Sequence, residues 1–146
     1  MTEMKTDTEV VKANATGLFE VETDQLGSMR ADVCTLDDTT YGFSVSVRQG
    51  LGGNMEPKKL LLLTFPKREL FSIYDAKNLL DVMYMDYSES YHFEYVVESG
   101  SFAVSYTESP RKATGLFSMD MTLKGSPVPP GPQRLKVTGF FHLKSE

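Results

Sequence analysis

The sequence predicts an all-β fold: an antiparallel, strongly curved β-barrel or sandwich of about eight to ten strands, with at most one short helix. Three observations predict it. Apolar residues recur with a period of two along most of the chain, which is the spacing of a half-buried strand. Turn residues, among them Ser99-Gly100, Ser109-Pro110-Arg111 and the Pro-rich run from Gly125 to Pro132, punctuate the periodic segments. A tetrapeptide of the form Thr-Gly-apolar-Phe returns at Thr16–Phe19, Thr114–Phe117 and Thr138–Phe141. Glycine and the Phe two residues on face the same side of a strand, so each glycine leaves room for a bend or for a neighbour's ring.

Taken in order, the polar, mixed-charge segment 1–13 reads as a flexible N-terminus ahead of a single barrel-like domain over 14–146. Tyr41, Phe43, Val45 and Val47 alternate with Gly42, Ser44, Ser46 and Arg48, one wet and one dry face. Gly50 to Asn54 reads as a loop. It lacks the lysine and the strand-to-helix setting of a phosphate cradle. Leu60 to Phe65 is apolar on both faces, as a central strand is, and Lys58, Lys59, Lys67 and Arg68 flank it as guards against aggregation. Asp75 is placed to cap about one helical turn before the next strand. Tyr91, Phe93, Tyr95 and Val97 alternate, and after a hairpin turn expected at Ser99-Gly100 so do Phe102, Val104 and Tyr106. Phe117, Met119, Met121 and Leu123 follow on one face, and a last strand is expected from Arg134 to Leu143.

The 146 residues fit one domain whose core needs neither disulfide nor metal. The net charge of −5 and the lack of a basic stripe speak against nucleic acid as a partner. Cys34 stands alone beside Asp32, Asp37 and Asp38, a setting for a structural thiol. No run reaches membrane-spanning length. The first residues lack the apolar stretch of a signal peptide. A cytoplasmic location is therefore expected of the chain as given, and a secreted or periplasmic one if a leader has been removed.

Thr16-Gly17-Leu18-Phe19 followed by Leu26-Gly27-Ser28 resembles the opening strand and turn of the avidins. The segments around Ala113–Phe117 and Val137–Phe141 are similar to the closing hairpins of lipocalin-like domains. The resemblance is to the calycin-type small barrels, and it implies a barrel. The chain has no Trp, and Phe19 stands where those families place one, so biotin binding and family ligand residues are not implied.

Two binding sites follow as expectations. If the barrel is hollow, Phe19, Phe43, Val45, Phe117, Met119 and Phe141 line it and take a small apolar or lipid-like ligand. Alternatively, Tyr84, Tyr87, Glu89 and Tyr91, among further acidic residues, form an acidic, Tyr-rich surface for a basic protein, as in an inhibitor or toxin-neutralising module. An enzyme would have to draw on His92, Glu94 and nearby tyrosines. No Ser-His-Asp order, nucleophile elbow or nucleotide fingerprint is present. Binding is therefore favoured over catalysis, and no catalytic residue, cofactor or metal ligand is assigned.

Overall fold

The computed structural model describes residues 13–50, 58–88 and 91–145. The chain forms β1 (Ala15–Thr23), β2 (Ser28–Met29), β3 (Val33–Asp38), β4 (Phe43–Gln49), β5 (Lys59–Phe65), β6 (Ser72–Asp75), β7 (Asp81–Asp86), β8 (Phe93–Glu108), β9 (Arg111–Leu123) and β10 (Arg134–Ser145). All lie in one antiparallel sheet of order β2-β1-β10-β9-β8-β7-β5-β4-β3, and β6 pairs the second half of β8. The sheet curls into a half-barrel. Just before β1, Asn14 reaches across to β3. Its amide donates to Asp37 Oδ1 at 2.6 Å and its Oδ1 accepts from the Leu36 N–H at 2.8 Å.

The all-β expectation holds, and so does most of the element order. Asp75 caps a 3-10 turn at Ala76–Asn78 by accepting from the Lys77 N–H at 3.0 Å. β5 runs between β4 and β7, and Leu61, Leu63 and Phe65 are fully buried. One turn is corrected. Ser99-Gly100 does not reverse the chain, because β8 runs through it for 16 residues with a register shift between Val97 and Ser99. Gly100 has φ +154, and a Cβ there would lie 2.6 Å from Met119 Cβ. The glycine therefore serves close strand approach in a coiled ribbon. The reversal falls at Ser109-Pro110, where Glu108 pairs Arg111. The loop expected after Gly50 and the N-terminal segment 1–12 lie outside the described residues.

The Thr-Gly-apolar-Phe tetrapeptides sit on β1, β9 and β10, and β9 and β10 interlock through theirs. Gly115 is opposite Phe141, and Gly139 is opposite Phe117. A Cβ on Gly115 would come within 2.3 Å of the Phe141 ring, and one on Gly139 within 2.1 Å of the Glu20 carbonyl oxygen on β1 and 2.8 Å of the Phe117 ring. Gly115 thus makes the space that the neighbouring strand's ring fills, and Gly139 makes room both for a ring and for close approach of β1. The rings continue inward as a linked set. Phe141 meets Phe19 at 5.3 Å and Phe65 at 6.2 Å, and Phe65 meets Phe43 at 4.9 Å and Phe102 at 6.0 Å. Phe43 stacks on Tyr106 at 4.6 Å and Phe102 on Phe117 at 5.6 Å. These separations are those of favourable aromatic pairs.

Candidate functional site

The six residues expected to line a hollow barrel all face inward and are buried: Phe19, Phe43, Val45, Phe117, Met119 and Phe141. Their four rings belong to the linked aromatic set and pack on one another and on neighbouring rings. The Tyr-rich set divides. Tyr84 lies in the core, fully buried, with its ring 6.2 Å from Tyr95. This corrects its placement on a surface: β7 pairs both β5 and β8 at this residue, so its inward face is covered. Tyr87 is half-buried, stacks on His92 at 4.3 Å and donates to Glu94 at 2.5 Å. Tyr91 is half-buried against Phe93 at 4.0 Å. Glu89 lies outside the described residues. Of the neighbouring acids, Glu94 pairs Lys124 and Glu98 pairs Arg134.

The two histidines stand apart. His92 precedes β8, His142 is on β10, and β9 runs between those strands. His142 Nδ1 shares a hydrogen bond of 2.8 Å with Thr114 Oγ1 on the outer face. Among the described residues there is no group of three or more His, Cys, Asp or Glu side chains able to hold a metal ion. Cys34 is buried on β3, and burial pushes its thiol pKa up.

Where β5, β7 and the β1–β2 turn meet, polar groups are buried together. Lys59 and Asp86 are register partners with Nζ and Oδ2 3.6 Å apart, and their side chains are 8% and 0% exposed. Lys59 donates to the carbonyls of Leu26 and Ser28, which pins the Leu26-Gly27-Ser28 turn onto the half-barrel. Asp86 Oδ1 accepts from the N–H and hydroxyl of Ser88. Burial, with the Asp86 charge nearby, pushes the Tyr84 hydroxyl far above its ordinary pKa. The same causes raise Tyr95 to about 12, and Tyr95 donates to the Pro132 carbonyl at 2.8 Å.

A concave surface lies on the other side of the sheet. The register sets Ile73, Ala103, Leu116 and Phe140 in one outward row across β6, β8, β9 and β10. Ile73 is 72% exposed, Leu116 65%, and nearby Phe71 62%. Phe71 and Ile73 make one wall, Leu116 and Phe140 the other. The floor carries the small side chains of Ser101, Ala103, Ser105 and Thr114 and the backbone of Gly115. The result is a trough of two adjoining hollows of about 340 Å3 each, which share Ala103 and Leu116. From Ser101 to Ser105 it runs about 14 Å along β8, at the rise of an extended strand.

Sequence reasoning missed this trough, yet a signal was present. The apolar third residue of each tetrapeptide, Leu18, Leu116 and Phe140, is out of phase with its inward-facing strand neighbours. All three point outward. No family model, curated protein or solved structure matches the chain.

Proposed function

We propose that this chain is a non-catalytic half-barrel that binds a small apolar or lipid-like ligand in the trough on the outer face of β6, β8, β9 and β10. The observation that carries the reading is the trough itself: apolar walls of Phe71, Ile73, Leu116 and Phe140 over a floor of small side chains. Its volume falls within the range of small-ligand sites, which are largely apolar with a few polar groups. Here those polar groups are Ser105, Thr114 and His142 at one end. The aromatic interior then serves as the rigid support for the outer face. Kinship with the calycin-type barrels belongs to this proposal and is supported by the opening strand and its Leu-Gly-Ser turn.

Calorimetric titration of decanol into the full chain tests the reading. Decanol is expected to bind, and Leu116→Asp, at an exposed site on the wall, is expected to abolish binding with the unfolding midpoint nearly unchanged. Binding that survives Leu116→Asp, or no binding to the parent chain, overturns the trough. A dimer that dissociates on Leu116→Asp would assign the face to a second copy instead.

A further inference from the structure

We infer that the ligand of the trough is an anionic single-chain amphiphile, its tail lying over Ser101–Ser105 and its head group held by Lys112 and Lys144. The inference rests on the trough reading and adds the chemistry of its end.

Along β8, the outward residue after Ser105 is Thr107. Its register partner on β9 is Lys112, which in turn faces Lys144 on β10. The apolar trough therefore runs into a row holding two exposed ammonium groups. Like charges directly opposite in an antiparallel pair stand with their Cβ atoms about 5 Å apart and destabilise the sheet. Lys112 and Lys144 have that arrangement. Among the described residues neither has an ion-pair partner.

Among the described residues, three carboxylates near this end have partners of their own. Glu108 pairs Arg68 at 3.6 Å, Asp38 pairs Arg111 at 3.4 Å, and Glu69 accepts from the Ser72 hydroxyl. An anionic head group would relieve a repulsion that no described carboxylate compensates. The opposite end of the trough is net acidic, with Lys136 set against Asp120 in the row beyond. Ser101, Ser118 and Thr138 share the next outward row, and Asp75 and Glu22 stand at its two ends. An anion is repelled there, so the charge pattern sets one direction for the chain: head beside the lysines, tail toward Ser101. The ligand is taken as a free amphiphile, because the two hollows follow one another along β8 and would hold a tail parallel to the sheet surface.

The test compares decanoate, decanol and decyltrimethylammonium by calorimetry on the full chain, the double variant Lys112→Glu/Lys144→Glu, and Leu116→Asp. Decanoate is expected to bind the parent about tenfold more tightly than decanol, and the cation more weakly than either. The lysine reversal is expected to invert the order of the two ions and leave decanol unchanged. Lys112→Gln/Lys144→Gln replaces the reversal if that variant does not fold, and is then expected to bring decanoate down to decanol. Equal affinities for all three probes, untouched by either lysine variant, would overturn the head-group assignment while the trough stood. Failure of all three probes, or indifference to Leu116→Asp, would sink the trough and this inference with it. Sedimentation with anionic vesicles without binding of free decanoate would assign the lysines to a membrane surface and overturn the free-ligand assignment.

Discussion

Gly115→Ala gives the sharpest check on how the tetrapeptides build the core. The added Cβ would stand 2.3 Å from the Phe141 ring, against a contact distance of roughly 3.5–4.0 Å. The ring cannot retreat freely, because it packs against Phe19 and Phe65 and is wholly buried. Overpacking of this kind costs about 1–3 kcal/mol. Set against it, alanine lowers the entropy of the unfolded chain and so stabilises by about 0.4–1 kcal/mol wherever the backbone tolerates it. The expected net loss is therefore roughly 0–2.6 kcal/mol in urea unfolding. In a Phe141→Leu background the obstructing ring is gone, and the same Gly115→Ala change is expected to be neutral or stabilising. The double-mutant cycle should thus report a coupling of at least about 1 kcal/mol. An equal cost for Gly115→Ala in both backgrounds would refute the argument, since the penalty would then belong to the glycine backbone and not to the ring it accommodates.

Two further outcomes are expected. Asp86→Ala leaves the Lys59 ammonium buried with two carbonyls and no counter-charge. It should cost about 3–5 kcal/mol in urea unfolding, with a Lys59→Met/Asp86→Leu double variant much less impaired than the single change; equal losses would show the pair to be uncoupled. Tyr95 and Tyr106 have folded-state pKa values raised to about 12 by burial, with nearby carboxylates adding to the shift. The folded state therefore holds protons that the unfolded state releases near pH 10. Stability is complete below about pH 10 and falls as pH rises toward 12, by roughly 1.4 kcal/mol per pH unit for each such group. Unfolding midpoints measured from pH 8 to 11.5 should decline only above about pH 10, and less steeply in Tyr95→Phe. A flat profile would contradict the assigned burial.

The Tyr-rich segment shows why a site is harder to read than a fold. Tyr84, Tyr87 and Tyr91 look alike along the chain, yet Tyr84 is core, and the other two are held by Glu94, His92 and Phe93. Composition cannot separate them, because each tyrosine offers the same apolar ring and the same hydroxyl. Ser99-Gly100 misleads for a similar reason. Glycine marks both a reversal and a close crossing, and only the partner strand distinguishes them.

What the amino-acid order determined by itself is the local and periodic part: the all-β class, the cap at Asp75, the reversal at Ser109-Pro110, and glycines that make room for rings. Each depends on backbone preferences or on alternation within one strand, so a short window holds the whole cause. Only the tertiary structure decided which outward residues became neighbours. Strand register is a non-local choice, and a slip of one residue exchanges the two faces of a strand. The observed register aligned Ile73, Ala103, Leu116 and Phe140 across four strands and set Lys112 against Lys144. It also brought Lys59 to Asp86 within the core.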